Sequence, residues 1–442
     1  MTMSSEAQIL PAVSQERPSL RVDFSWMFVG NAIYACGQWI TLMLLTKLLR
    51  PEQVGQYALS LAIVYPVIAL TSFQLRAVVA SGMYGQTHFG HFIGLRLYTT
   101  SLALVIVFAI TQILRYRLEL TSVVLIVCMA QAIENISDIY YGRLQLHDRI
   151  IRISHSLIAR TLLSVLGLTV GLFIGRNLFW GIAGIVLARA AVLLGYDTRE
   201  RTHGLAEQPL DSSRTETLKP CSHLKVQGEL LWFSFPLGIL TLLVTLNSSI
   251  PSYFIKHALG ERELGIFSTI GFMVSAGSIA VMSLGQSAFT PLARDYAAKN
   301  FGEFWSILGK LLALGTTVAI CGVIVSKLAG QEILTIAFRR EYADRADLLP
   351  WIMAAGGVGY MAQFLGIGMT AARYYHSQIA LLILVSLSLC VSSYFLVPRQ
   401  GLLGAILSML VAAFVQLVGS VLILYIGTRT RSRVFVKSVG QA

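Results

Sequence analysis

Charged residues are scarce in this sequence. Asp, Glu, Lys and Arg make up 13% of the 442 residues, whereas a typical soluble domain has about 25%. Hydrophobic residues make up 55% of the chain, and its mean hydropathy is +0.69. More than ten windows approach the roughly 20 apolar residues that a helix needs to cross a bilayer. The composition therefore excludes a soluble globular protein and predicts one that crosses the membrane many times.

The sequence also lacks the motifs of several enzyme and metal-binding classes. It contains no Walker A, nucleophile-elbow or zinc-protease motif, which excludes an internal ATPase as the energy source. The five cysteines lie far apart, without disulfide or metal-ligand spacing. The pair His88 and His91 has no third or fourth ligand nearby. We therefore expect no catalytic residue, no metal and no cofactor.

Basic residues exceed acidic ones by 34 to 22, which gives a formal charge of +12. In a membrane protein this excess usually reflects basic loops that contact anionic lipid headgroups. No basic run with interleaved aromatics occurs outside the apolar windows, which argues against nucleic acid as a partner. The face shared by the termini carries 17 Lys and Arg residues and the opposite face 12, a bias that favours cytoplasmic termini. Residues 1–20 contain no cleavable apolar core, so the first helix is expected to act as the targeting signal.

Apolar windows and helix breakers predict an all-α fold of about twelve transmembrane helices in two pseudo-symmetric six-helix lobes. The N-lobe is residues 24–196 and the C-lobe is residues 229–427, with a cytoplasmic linker, 197–228, between them. Residues 1–23 and 428–442 are cytoplasmic tails, the second of them basic. The predicted helices cover about 24–47, 54–81, 94–114, 118–141, 153–175 and 178–196 in the N-lobe, and about 229–257, 264–289, 304–326, 350–372, 376–397 and 401–427 in the C-lobe.

A stretch near the start of the chain returns 210 residues later. Residues 44–60, LLTKLLRPEQVGQYALS, align with residues 254–270, FIKHALGERELGIFSTI, and Gly55 falls on Gly265. A second, shorter pair of similar segments occurs near the end of each half. Internal repetition is typical of transporters, whose binding site lies at the interface of the repeats.

Five basic residues fall inside the predicted spans. A charge in hydrocarbon is costly unless it faces water, a partner or the interface, so each such residue is a functional hypothesis. Three of the arginines lie at a common depth, about 7–10 Å from the cytoplasmic edge at 1.5 Å per residue. These three are Arg76, Arg160 and Arg189, and the other two basic residues are Arg96 and Lys310.

Polar residues recur on one face of three predicted helices. The fourth helix carries four of them at positions i, i+3, i+4 and i+7, which share one face of a helix. Because a polar face avoids lipid, these stripes predict a hydrated cavity between the two halves, lined by predicted helices 1, 2, 4 and 7. The stripes are Gln131, Glu134, Asn135 and Asp138; Asn31, Tyr34, Gln38 and Thr41; and Thr241, Thr245, Ser248 and Ser252.

The charges in the first half admit two interpretations. In one, Arg160 and Arg189 form structural ion pairs with Glu134 and Asp138, while the other arginines reach the lipid headgroups. In the other, surplus arginines form a basin for an anionic headgroup, since a guanidinium binds phosphate through two hydrogen bonds. Glu134 and Asp138 then either couple an ion or pair with arginine. The candidate substrate-binding residues are Arg76, Arg160, Arg189, Arg96, Asn31, Gln38 and Gln131.

Three segments of the chain resemble the polysaccharide flippases of the multidrug/oligosaccharidyl-lipid/polysaccharide exporter superfamily. The repeated LLRPEQVGQYALS pattern is similar to that family's first helix–turn–helix. LNSSIPSYFIKHALGERELGIFSTIGF with GQSAFTPLA is similar to its seventh and eighth helices, and YYGRLQLHDR to its cytoplasmic turn after helix 4. The resemblance spans nearly the whole chain.

This resemblance implies translocation of an undecaprenyl-diphosphate-linked oligosaccharide across a bacterial inner membrane, by alternating access around a cationic central cavity, for surface polysaccharide biosynthesis. Its implied partners are the lipid-linked oligosaccharide, membrane lipids and the polysaccharide polymerase and chain-length proteins. Two alternatives remain. A multidrug or cation antiporter of the same superfamily would favour carboxylates in its cavity. A membrane-embedded polysaccharide polymerase or ligase would need a sizeable outer loop, and the longest here is about 23 residues, Lys327–Leu349.

Overall fold

The computed structural model describes residues 20–82, 89–199 and 224–439. Every regular element within these ranges is a helix, so the predicted all-α fold is confirmed. The predicted linker, 197–228, falls mostly outside the described residues. The C-terminal tail is described as part of the last helix up to Val439.

The helices follow the predicted order, with most ends within a few residues of the predicted ones. The N-lobe contains α1 (Leu20–Leu48), α2 (Pro51–Ser72), α3 (Leu75–Ala80), α4 (Phe89–Ile113), α5 (Leu118–Leu146), α6 (Ile150–Gly175) and α7 (Leu178–Val192), which a π-helical turn, Leu193–Asp197, continues. The C-lobe contains α8 (Leu224–Leu259), α9 (Glu261–Gly271), α10 (Met273–Ala297), α11 (Phe301–Ala337), α12 (Arg340–Ala343), α13 (Leu349–Ala371), α14 (Tyr375–Gln400) and α15 (Leu402–Val439), with a 3-10 turn, Ala346–Leu348, before α13.

Eleven helical segments within the described ranges are long and apolar enough to cross a membrane, so this is a multi-pass membrane protein. The eighth predicted helix, 264–289, is not among them, and the structure divides it at Phe272 into α9 and α10. Ser, Gly and Gln residues also make α10 less apolar than the other spans. In the order of the chain, α9 and α10 together take the place of the eighth predicted helix.

The crossing order defines two faces of the molecule. The first face is the side on which α1 begins, and the second face is the side on which α1 ends. The ends of α3 and α5 and the start of α6 therefore lie at the first face. The starts of α2 and α9, which belong to the two repeat copies, lie at the second face.

Two predicted helices differ in shape from the expectation. The second, predicted over 54–81, breaks where Phe73 and Gln74 adopt left-handed φ angles of 46° and 50°. Side chains with a Cβ pay about 1–2 kcal/mol in this region, so the surrounding contacts must hold the break. The ninth, predicted over 304–326, continues to Ala337. Its 37 residues span about 55 Å, longer than the roughly 30 Å of hydrocarbon.

The two lobes meet through α2, which packs against α8 and α9. One buried apolar cluster spans this contact and includes Leu45 and Val54 of the N-lobe with Leu264 and Ile270 of the C-lobe. A second cluster fills the C-lobe around Phe304 and the helices beside it. The polar faces of the N-lobe helices are not part of this apolar contact.

Candidate functional site

A cavity of about 310 Å³ lies inside the N-lobe, near the first face. Side chains of α1, α2, α3, α5 and α6 line it. Six of the nine residues predicted as substrate contacts or ion-coupling groups are among them. The lining residues are Met27, Asn31, Tyr34, Ile68, Arg76, Gln131, Glu134, Asn135, Asp138, Tyr141, Leu157 and Arg160.

Helix α5 supplies the polar wall of the cavity. All four residues of its stripe, Gln131, Glu134, Asn135 and Asp138, line the cavity. Their i, i+3, i+4, i+7 spacing places them on one helix face, while Val127 on another face is 2% exposed in the apolar core. An amphipathic α5 thus turns its charges toward the cavity because its other faces are buried among apolar side chains.

One wall of the cavity differs from the expectation. The stripes predicted a cavity between the two halves, with the seventh predicted helix as a wall, but every lining residue belongs to the N-lobe and α6 takes that place. In the stripe of α8, Thr241 donates a hydrogen bond to the Ala69 carbonyl of α2 at 3.2 Å. This stripe therefore contributes to the contact between the lobes. Periodicity identifies a polar face but not the neighbour that it meets.

Arg76 and Asp138 form the accessible ion pair of the cavity. Arg76 Nη1 lies 2.9 Å from Asp138 Oδ1, and the two side chains are 31% and 34% exposed. The Arg76 guanidinium also lies 5.6 Å from the ring centroid of Tyr141. An ion pair this open to solvent is worth at most about 1 kcal/mol, so an incoming anion can compete with Asp138 for the guanidinium.

Arg160 is held more tightly, by residues of α5 and of the π-helical turn that follows α7. Its Nη2 lies 3.3 Å from Asp197 Oδ2 and its Nη1 lies 3.8 Å from Glu134 Oε1. The guanidinium also donates a hydrogen bond to the Tyr141 hydroxyl, and the Ser156 hydroxyl donates to Asp197 at 2.6 Å. The side chains of Arg160 and Asp197 are 3% and 1% exposed, so this pair is part of the packed interior.

Sequence reasoning missed Asp197, which the prediction assigned to the start of the linker. The π-helical turn Leu193–Asp197 continues α7 and brings this carboxylate onto α6. Such π turns are rare and are found frequently at functional sites. The available signal was an acidic residue directly after an apolar helix, at the same level as the arginines.

Glu134 lies between two arginines. Its Oε2 is 2.7 Å from Arg189 Nη1, and its Oε1 accepts a hydrogen bond from the Tyr34 hydroxyl at 2.8 Å. Arg189 also donates to the carbonyl of Ala130 at 2.9 Å. Glu134 thus joins α1, α5, α6 and α7, and its contacts fit the predicted pairing of this residue with arginine.

Arg96 lies away from the cavity. It is 1% exposed and donates to the Ser72 carbonyl and to Asn135 Oδ1, each at 3.0 Å. Its Nε and Nη2 find no hydrogen-bond partner among the described residues. Because Ser72 is the last residue of α2, Arg96 holds the break between α2 and α3. The interpretation in which Arg96 reaches the lipid headgroups does not fit this burial.

A second, narrower pocket adjoins the cavity. Its lining includes Tyr34 and Arg160, which also line the cavity, together with Gln38, Thr41 and Arg189. The stripe of α1 therefore divides between the two spaces. Asn31 faces the cavity and Gln38 the narrow pocket, with Tyr34 between them.

The charges of this region sum to a small positive surplus. Four arginines, Arg76, Arg96, Arg160 and Arg189, are offset by the three carboxylates of Glu134, Asp138 and Asp197, which leaves one positive charge. This surplus belongs to the buried Arg96, and the charged groups that line the cavity itself, two arginines and two carboxylates, cancel. The surplus is smaller than the sequence indicated because Asp197 had not been counted. Among the described residues, no group of three or more His, Cys, Asp and Glu side chains is arranged to bind a metal ion.

In this arrangement Arg76 can exchange Asp138 for another anion, while Arg160 and Arg189 keep their carboxylate partners. Arg160 and Arg189 are buried with carboxylates, and they hold α5, α6 and α7 in register. Arg76 faces the open space with a weakly held partner. The cavity is thus a rigid polar frame with one available guanidinium and amide side chains that can hydrogen bond to hydroxyl groups.

The chain is similar in sequence to a bacterial polysaccharide protein. It is 24% identical over 400 residues to the capsular polysaccharide biosynthesis protein CapF of Staphylococcus aureus, with 90% of this chain and 97% of that protein covered. No family model matches the chain.

Solved structures of transporters share its fold. An inward-facing multidrug resistance MATE family transporter of the MOP superfamily has a TM-score of 0.70 at 11% identity, covering 93% of this chain and 99% of that one. The lipid II flippase MurJ in an inward closed conformation has a TM-score of 0.72 at 9% identity, covering 90% and 87%. The sequence similarity and the shared fold confirm the resemblance to this superfamily that the sequence motifs indicated.

Proposed function

We propose that this protein is a flippase that moves an undecaprenyl-diphosphate-linked oligosaccharide from the cytoplasmic to the outer leaflet of a bacterial inner membrane. The observation that carries the proposal is the polar cavity near the first face, with the accessible guanidinium of Arg76 on its wall. The similarity to a capsular polysaccharide biosynthesis protein and the fold shared with a lipid II flippase support it.

Arg76 is the first contact that we assign to the diphosphate. A phosphate offers more negative charge than the Asp138 carboxylate and accepts two parallel bonds from a guanidinium. Binding would release Asp138, whose repulsion from the phosphate favours its turning away. Arg160 lines the same cavity and provides a second positive charge behind Tyr141 without leaving its own carboxylates.

The saccharide requires a wet path because its hydroxyl groups cannot enter hydrocarbon without hydrogen-bond partners. Asn31 and Gln131 line the cavity and supply such partners. The polyprenyl tail needs no such path and remains in the lipid. With cytoplasmic termini, the first face is the cytoplasmic side, and the outward movement of the diphosphate is assisted by about 2.3 kcal/mol per charge per 100 mV.

A multidrug exporter of the same superfamily is the alternative that the shared fold alone permits. Cationic drugs require unpaired carboxylates, and each cavity carboxylate here has an arginine within ion-pair distance. A polymerase or ligase would need catalytic residues on an outer loop. In the described residues, the corresponding segment between α11 and α13 is short and largely helical. The similarity to a capsular polysaccharide biosynthesis protein therefore favours a lipid-linked saccharide as the substrate.

A deletion strain tests the proposed function directly. We expect lipid-linked oligosaccharide to accumulate in the cytoplasmic leaflet, where a membrane-impermeant label applied to intact spheroplasts does not reach it. Re-expression of the wild-type chain should restore labelling. Accumulation of unpolymerised units in the outer leaflet, accessible to the label, would contradict the proposal and indicate a polymerase.

A further inference from the structure

A second pocket, of about 450 Å³, lies in the C-lobe at the second face. It is formed where three turns meet: the α8–α9 turn, the 3-10 turn before α13, and the α14–α15 turn. Its volume falls within the range of about 300–1,000 Å³ that is usual for small-molecule sites. None of the charged cavity residues described above lines it, so it is a separate site.

The side chains around this pocket combine one aromatic face with several hydrogen-bonding groups. Trp351, in the first turn of α13, is 49% exposed. Glu263, Arg345, Asp347 and Gln400 surround the same space. An indole offers a flat apolar surface with a polar edge, on which the C–H face of a pyranose ring packs. Carboxylate, amide and guanidinium groups provide the acceptors and donors that sugar hydroxyl groups require.

The charged side chains of the pocket sum to a net negative charge. Arg345 Nη2 lies 3.5 Å from Glu263 Oε1, so these two charges offset each other. Asp347 also lines the pocket and forms no ion pair with another described residue, which leaves a net charge of −1. A diphosphate is repelled by such a pocket, whereas a neutral sugar or an amino sugar is accepted.

The backbone keeps the rim of the pocket open. Gly401, in the α14–α15 turn, has φ +62° with ψ −135°, a conformation that is essentially restricted to glycine. A Cβ atom added there would meet no heavy atom within 4 Å. Gly401 therefore borders open space at the rim of the pocket, beside the exposed Gln400.

We propose that this pocket binds the saccharide part of the transported lipid at the second face, as a neutral or amino-sugar unit. The inference rests on the proposed function, because the glycan reaches this face only after translocation. The two sites divide the substrate by charge. The N-lobe cavity takes the diphosphate on the first face, and the C-lobe pocket takes the glycan on the second.

The test measures glycan binding by the purified full-length protein in detergent. The probe is a microarray of capsular and O-antigen repeat units with N-acetylglucosamine and N-acetylgalactosamine oligomers and their N-deacetylated, amine-bearing counterparts. We expect a discrete subset of neutral and amino-sugar glycans to bind, and Trp351→Ala to weaken that binding by about tenfold or more. Gln400→Ala, an exposed change that spares folding, should weaken it in the same direction. Asp347→Asn should selectively reduce the binding of glycans with a free, protonated amine.

Trp180→Ala is the matched control, because Trp180 is a 52% exposed tryptophan at the second face of the other lobe. It should leave the array pattern unchanged. Binding that survives both Trp351→Ala and Gln400→Ala, or the absence of any glycan signal, would overturn the pocket assignment. Those results would not contradict the proposed function, which is tested by the leaflet assay and by the Arg76→Ala variant. If Arg76→Ala flips normally while array binding still depends on Trp351, the assignment of the N-lobe cavity as the diphosphate site would instead be contradicted.

Discussion

Gly55 and Gly265, which occupy equivalent positions in the two repeat copies, pack against each other at the second face. A Cβ atom added to Gly55 would lie 1.8 Å from the Glu261 carbonyl oxygen and 3.1 Å from the Gly265 nitrogen. One added to Gly265 would lie 2.1 Å from the Pro51 carbonyl oxygen and 2.9 Å from the Gly55 nitrogen. Pro51 and Glu261 are also equivalent in the repeat, so the contact is nearly the same from either side. The repeated sequence thus forms a pseudo-twofold contact that closes the second face.

This contact predicts that Gly55→Ala prevents the lobes from closing at the second face. The added methyl group meets backbone atoms, which cannot rotate away as a side chain can, so the cost should reach or exceed the roughly 1–3 kcal/mol of overpacking. We expect a lower melting temperature in detergent and loss of flipping. Gly271→Ala, at the end of α9 in the other lobe, meets no atom within 4 Å and serves as the control. Equal melting temperatures for the two variants would contradict the prediction.

Arg76→Ala should abolish flipping while the protein remains folded. The pair with Asp138 is about one-third exposed and contributes at most about 1 kcal/mol to stability, whereas the lost guanidinium removes the accessible phosphate contact. Melting temperature and leaflet labelling measure the two effects separately. Arg294→Ala, which removes an exposed arginine paired with Asp295, should retain flipping. Wild-type flipping by Arg76→Ala would remove this residue from the site.

Glu134→Gln should act mainly on stability. The change leaves Arg189 without its carboxylate and weakens the hold on Arg160, and an unpaired buried charge costs about 3–5 kcal/mol. We expect a clearly lowered melting temperature, and partial recovery in the double variant Glu134→Gln with Arg189→Gln. If Glu134→Gln instead melts like the wild type and uncouples flipping from a pH gradient, Glu134 couples an ion rather than holding the frame.

The helices and their order were predictable because hydrophobic length and periodicity are local properties of the sequence. The polar stripe of α5 was predictable for the same reason. Asp197 was not, since its role depends on a π-helical turn that brings a residue from beyond an apolar helix onto α6. The break at Phe73 and Gln74 was also missed. No glycine or proline marks it, and it depends on the contact of Arg96 with Ser72.

The sequence suggested that Arg160 and Arg189 pair with Glu134, but not that Arg76 pairs with Asp138. The sequence placed Arg76, Arg160 and Arg189 at one depth, and the structure places the carboxylates at that depth too. Which arginine remains accessible depends on how far each helix is rotated and on which neighbour covers it. Those properties arise from packing among several helices and have no signal in the spacing of residues along one of them.

Equivalent positions of the two repeat copies also form an ion pair at the second face, which a charge reversal can test. Glu52 and Arg262 are equivalent positions in the two copies, and they lie 4.0 Å apart across the lobe contact. Glu341 adds a second carboxylate 3.3 Å from Arg262. All three side chains are about half exposed, so each pair contributes less than about 1 kcal/mol to folding. The pairs connect the lobes when this face is closed, and their loss should therefore shift the conformational equilibrium rather than unfold the protein.

Arg262→Glu places three carboxylates together and should favour opening of the second face. Leu49, which is 4% exposed in the closed contact, reports that opening when it is replaced by cysteine in a background without the native cysteines. We expect a membrane-impermeant thiol reagent to label this cysteine faster in Arg262→Glu, with the melting temperature little changed. Adding Glu52→Arg should slow the labelling again, because it restores an attractive pair. Labelling that is indifferent to both reversals would show that the glycine contact alone closes this face.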